Sequence, residues 1–138
     1  MKTLFHIAVV CAVFGLAASS AMADLRNDAR TTNDLKQIGL AYHNCIDATG
    51  KPPANAKALA PFFENDKRIL GLLEKEDIVF FYGVGIAQMT AGTSNTILAF
   101  EKDAPTKGGL VLMGDASVKK VSADDFKKAN LAGKLKEK

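Results

Sequence analysis

The chain has 138 residues, 48% of them hydrophobic, with 18 basic and 15 acidic side chains and a formal charge of +3. That length allows one domain with a real core. The near balance of charge lacks the strongly basic face of a nucleic-acid binder, so no nucleic-acid partner is expected.

The N-terminus reads as a targeting segment. Lys2 is followed by an apolar run, Ile7–Ala18, and by the small-residue site Ala21-Met22-Ala23. This is the order of a secretory signal peptide, spanning residues 1–23 and cleaved after Ala23, at a site marked by Ala21 and Ala23. The run is shorter than the roughly 20 residues that span a bilayer. Val10 before Cys11 does not suit a lipoprotein signal. The mature chain is then Asp24–Lys138, not membrane-spanning, and periplasmic or secreted. Losing Lys2 lowers its charge by one, and Cys45 becomes its lone thiol, without an internal disulfide.

Residues 24–32 form a polar lead-in. From Asn33, Leu35, Ile38, Tyr42, Cys45, Ile46 and Thr49 recur at three- and four-residue steps, which predicts a helix over Asn33–Thr49. Thr32 or Asn33 would cap it, with Asp34 in the first turn. Gly50 suits the left-handed position after the last turn, and Pro52-Pro53 forbid continuation. Asn55 would cap a short helix over Ala56–Ala60, Pro61 would open a second turn carrying Phe62 and Phe63, and Asp66 would cap Lys67–Lys75. In that last helix Ile69, Leu70, Leu72 and Leu73 would be buried.

Ile78–Tyr82 is β-branched and aromatic throughout and reads as a strand buried on both faces, closed by Gly83-Val84-Gly85. Ile86–Asn95 is a connection. Thr96–Phe100, Leu110–Met113 and Val118–Val121 are apolar runs separated by turn chemistry, the pattern of an antiparallel meander. Ser122 would cap a helix over Ala123–Ala129 anchored by Phe126. Asn130–Lys138 reads as a frayed basic tail. The fold class is therefore α+β, with one long N-terminal helix packed on an antiparallel sheet of about four strands and short additional helices. The domain proper would span residues 33–129.

The segment Thr32-Asn33-Asp34-Leu35-Lys36-Gln37-Ile38-Gly39-Leu40-Ala41-Tyr42-His43-Asn44, followed by Gly50-Lys51-Pro52-Pro53, resembles a recurring segment of prepilin-like proteins. It is most similar to a bacterial domain family of unassigned function, related to type IV pilins and type II secretion pseudopilins, that carries an H-x9-DG type motif near its C-terminus. In that family the segment forms the globular-side half of the long N-terminal helix and the loop after it. Asn95–Val121 resembles the family's sheet, with its D-G-S-V hairpin. Three departures stand out. The chain has no prepilin processing site followed by about twenty apolar residues, Ala116 stands at the hairpin glycine, and no histidine follows His43. The resemblance implies a pseudopilin-like domain that is released rather than polymerised. Ala116 implies another turn form or a strained residue.

Candidate chemistry is sparse. His43 and Asp47 are one helical turn apart, the spacing of a metal or acid–base pair or of a plain surface hydrogen bond. A zinc site needs three or four ligands, and only carboxylates remain to complete one. Cys45 falls on the apolar stripe as a small hydrophobe; were it exposed, it would form an intermolecular disulfide. Gly83-Val84-Gly85 lacks the third glycine and the helix of a dinucleotide fingerprint. Ser94 has only His43 as a histidine base and sits in no nucleophile elbow. No cofactor motif is present. From Lys119 onward lysines outnumber carboxylates seven to three, a composition suited to weak contact with anionic surfaces. The expectation is a non-enzymatic envelope domain with a structural or protein-interaction role. The alternatives are a small periplasmic metal-binding protein or hydrolase using His43 and Asp47, and a secretion or pilus assembly factor.

Overall fold

The computed structural model describes the backbone of residues 10–137 and side chains from Ser20 to Glu137. Lys2, the first part of the Ile7–Ala18 run and Lys138 lie outside the described residues, as does the side chain of Cys11. The protein is α+β. The long helix α1 (Val10–Thr49) is followed by α2 (Ala56–Leu59), a 3-10 turn (Ala60–Phe63) and α3 (Lys67–Glu74). Then come β1 (Ile78–Phe80), β2 (Thr96–Glu101), the one-turn α4 (Ala104–Lys107), β3 (Gly109–Met113), β4 (Val118–Val121), α5 (Ala123–Lys128) and β5 (Asn130–Leu131). The described residues divide into two units on either side of the Thr31–Thr32 bond. The second holds the sheet.

The strands run in the order β1-β2-β3-β4, each antiparallel to its neighbour, and β5 pairs with β2 in parallel. Between Ile97 and Ala99 the β2–β3 register shifts: these two face Met113 and Leu112, leaving Leu98 as the extra residue of a bulge. The bulge puts adjacent Leu98 and Ala99 into the same apolar cluster, where strict alternation would have parted them. That cluster contains Leu35, Ile38, Ala41, Tyr42 and Cys45 of α1, Leu59, Ile69 and Leu73 from the helices that follow, and Leu110 and Leu112 of β3. A second cluster holds Ile97, Phe100, Val111, Met113, Ala104 of α4 and Phe126 of α5. Both faces of the central strands are covered, which is why β2 reads as an unbroken apolar run.

Several element ends match their capping chemistry. Gly50 adopts φ 72° and donates to Ile46 O at 2.7 Å, closing α1 before the prolines. Asn55 accepts from Ala58 N, Asp66 from Arg68 N and Ile69 N, and Ser122 from Asp125 N. The start of α1 is a correction. Asn33 opens no helix, because α1 already runs through residues 24–32, and no cap is needed at Thr32 or Asn33. Asp34 is therefore free of a first-turn role. Its side chain is 6% exposed and takes a bidentate pair of hydrogen bonds from Arg68 of α3, both 2.6 Å. That partner carboxylate holds the Arg68 guanidinium above its ordinary pKa. Other corrections are smaller. β1 ends at Phe80, and Leu70 and Leu72 are only half-buried. The C-terminal stretch is not wholly frayed, since Asn130–Leu131 pairs with β2.

Two glycines in helices make a test of this packing. A Cβ on Gly39 of α1 would stand 2.9 Å from both Ala116 Cβ and Leu112 Cδ1, whereas one on Gly71 of α3 would meet nothing within 4 Å. Alanine gains about 1 kcal/mol over glycine in a helix interior. Gly71→Ala should therefore raise the melting temperature, while Gly39→Ala should lower it, the overpacking outweighing the propensity gain by about 1 kcal/mol. Urea unfolding measures both, and equal responses would refute the close approach. By the same assay, Arg68→Met should cost about 2–3 kcal/mol by leaving a buried carboxylate unpaired, and Asp34→Leu in the same chain should restore most of it.

Candidate functional site

The seam between α1 and the β3–β4 turn holds one of the residues singled out for chemistry, His43, together with the turn residue Ala116. Gly39 and His43 lie one turn apart on α1 and face this turn. At Gly39 the helix backbone lies directly against Ala116 and Leu112. His43 Nε2 lies 2.8 Å from Gly114 O, so that nitrogen carries the proton and donates. The carbonyl is held in turn by its surroundings, with Gly114 N donating to Thr96 O at 2.9 Å and Met113 N to Ser117 O at 2.8 Å. Asp115 Oδ1 accepts from Ser117 N at 3.0 Å and from Ser117 Oγ at 2.5 Å. The Ser117 hydroxyl, followed by its N–H, holds the Asp115 carboxyl below the usual carboxylate range. Ala116 adopts φ 70°, a strained left-handed residue where glycine is usual.

His43 is thus occupied in fastening the helix to the turn. Asp47 is exposed and takes no part in that contact. Among the described residues no group of three or more His, Cys, Asp or Glu side chains is arranged to hold a metal ion. Cys45 is 4% exposed, packed in the first cluster, with its sulfur 3.8 Å from Lys51 O. Ser94 is exposed in the 3-10 turn Thr93–Asn95, and its carbonyl accepts from Lys119 Nζ at 3.3 Å. Gly83-Val84-Gly85 is a strand-end turn. Gly83 has φ 74° and donates to Pro53 O, Val84 O accepts from Tyr42, and only a three-residue 3-10 turn, Ile86–Gln88, follows. Ala21 and Ala23 are exposed on α1.

One open cleft of about 310 Å³ is lined by Asp77, Glu101, Lys102, Asp103, Lys107 and Gly108. Much of its charge is internally satisfied. Lys102 Nζ is 2.8 Å from Asp77 Oδ1, and that ammonium lowers the Asp77 pKa. Glu101 Oε2 accepts from Leu110 N at 2.7 Å, a bond that pins β2 to β3. The sequence reading did not single out this cleft, Gly39 or the Asp34–Arg68 pair. For Gly39 the signal was present, a glycine inside a helix and next to its apolar stripe. For the others the partners are too far apart in sequence for any spacing rule.

Both tyrosines titrate late. Tyr42 is fully buried and donates to Val84 O at 2.7 Å, and burial pushes its hydroxyl up to about 12. Burial and the charges of Glu76 and Glu74 push Tyr82, whose buried hydroxyl has no hydrogen-bond partner among the described residues, also up to about 12. The neutral forms are favoured in the folded state, so this stability is fully present below the unfolded value near pH 10 and is lost as pH rises through 12. For Tyr42 the loss is about 2–3 kcal/mol. Tyrosinate absorbance, which reports on the chain's two tyrosines alone, should stay flat past pH 10 and rise near pH 12 together with unfolding; a native titration at pH 10 would contradict their burial.

Comparison of the chain with protein-family models, with curated proteins and with solved structures finds no match.

Proposed function

We propose that the protein is an exported, non-enzymatic, pseudopilin-like envelope domain with a structural or protein-interaction role. The observation that supports this reading most is the seating of the C-terminal part of a long helix on an antiparallel sheet. The Gly39–His43 stretch meets the β3–β4 turn at the position where the resemblance puts the family's hairpin. Among the described residues no helix is long and apolar enough to cross a membrane, in keeping with a chain that does not span one. The proposed destination is the periplasm or the exterior, reached by cleavage after Ala23. There the exposed Leu40 on α1 offers a contact for a protein partner, and the lysines near the C-terminus a weak one for anionic surfaces. The alternative role, a secretion or pilus assembly factor, predicts instead that the protein co-purifies with secretion or pilus components. A metal or hydrolytic role for His43 and Asp47 has less support: with Nε2 donating to Gly114 O the ring keeps a single lone pair, on Nδ1, and a metal site needs three or four ligands.

Cell fractionation with intact mass measurement tests the reading. The protein should be found outside the cytoplasm with Asp24 as its first residue. Cross-linking in the envelope should capture a protein partner that is lost in Leu40→Asp, a surface change that leaves the melting curve intact. A cytoplasmic chain retaining Met1, or a stoichiometric metal released by His43→Ala, would overturn it.

A further inference from the structure

The edge of β2 is closed by two different segments. β1 runs beside its second half, ending its pairing where Phe81 N donates to Leu98 O at 3.0 Å. The chain then turns away. The first half of β2 is covered instead by the C-terminus, with Asn130 and Leu131 paired in parallel with Thr96 and Ile97 and Ala132 N donating to Ile97 O at 2.9 Å. Leu131 packs on the second apolar cluster and Ala132 on both. Gly133 lies against the Phe81 ring so closely that a Cβ there would stand 2.6 Å from a ring carbon. Beyond it Lys136 pairs with Glu76. The result is a built slot, with a hydrogen-bonding edge, room for small side chains and a ring that admits only glycine.

The segment in that slot is weakly held. Its strand is two residues long, and its ion pair is exposed at both ends, 83% and 54%. Its covalent link to α5 is the single extended residue Ala129, with φ -74° and ψ 152°. Such a terminal strand opens at far lower free energy than the core. Its departure would uncover Ile97 and Phe81, now 1% and 7% exposed, together with unpaired edge groups of β2. A bare strand edge is a template for another strand. The segment that fits it in hydrogen bonding, side-chain size and the glycine position is the same segment of another copy. At the opposite edge, β4 carries Lys119 and Lys120, and pairing two copies there would bring like charges together.

We infer that the Asn130–Glu137 strap is exchangeable, so that the slot between the β2 edge and Phe81 takes the strap of a second copy and two molecules associate by trading C-termini. The exchanged contacts are identical to the internal ones, which keeps the free-energy difference between the two forms small. This inference uses only β2, Phe81 and the strap, and does not depend on the pseudopilin-like reading.

A fluorescein-labelled peptide with the sequence of residues 129–137, mixed with the unmodified protein, tests the slot by fluorescence anisotropy. Saturable binding is expected. The same peptide with Gly133→Val keeps its charge but should bind at least about tenfold more weakly, because its side chain meets the Phe81 ring. Size-exclusion chromatography of concentrated protein after mild warming should show a dimer that excess peptide converts to monomer. Absence of saturable binding, equal binding of the two peptides, or a chain that stays monomeric under all these conditions would each overturn the exchange.

Discussion

The contact of Gly39 with Ala116 and Leu112 sets the distance between α1 and the sheet, and the first apolar cluster depends on that distance. Leu35, Ile38, Ala41, Tyr42 and Cys45 reach the sheet-side residues only if the helix backbone comes this close to the β3–β4 turn. A side chain at position 39 would lift the helix and open voids beneath Leu35 and Tyr42, both fully buried. Two local rules are broken at this one contact. A glycine sits inside a helix, and an alanine sits at φ 70° in a turn. Their coincidence argues that the seating of the helix compensates for both. His43 adds a directional bond to the same turn, and Asp115 stiffens it from the other side through Ser117.

The periodic parts of this fold were legible because periodicity is local. The α1 stripe, the cap residues Asn55, Asp66 and Ser122, the glycine stop at Gly50 and the three runs of the meander each carry their signal within a few residues. What escaped the sequence depends on distant partners. A continuous helix through residues 24–32 leaves no apolar stripe to read. β5 is too short for a β pattern, and its place is set by where β1 leaves β2. The bulge at Leu98 is invisible in an unbroken apolar run, since alternation is the only signal that could mark it. Asp34 shows the limit well. Its position after Thr32-Asn33 fits a first-turn carboxylate, yet its role is set by Arg68, thirty-four residues away.

The candidate site was legible only in outline. The spacing of His43 and Asp47 correctly placed both on one helix, but helical spacing says nothing about what the opposing surface offers. Here that surface offers a backbone carbonyl to His43, and Asp47 is left exposed. Cys45 was easier, because a thiol inside an apolar stripe has little choice but burial, and it is buried. A histidine beside such a stripe has two possible uses, and tertiary contact decides between them.

The Asp34–Arg68 pair stands where α1 changes character. From Ser20 to Asn27 every side chain is exposed, the large apolar Met22 and Leu25 among them. From Asp34 onward the side chains enter the core. A buried carboxylate held by two 2.6 Å bonds is an unusual device for stability alone, since an apolar pair of the same volume would often serve as well. It does supply direction. A planar guanidinium gripping both carboxylate oxygens fixes the rotation of α1 about its axis, which apolar contacts leave loosely defined. A small rotation there would move Gly39 off Ala116 and bring Leu40, now 60% exposed, toward the turn. The ion pair at the entry to the core and the glycine contact one turn further along therefore act as one constraint, the first setting the angle at which the second can close.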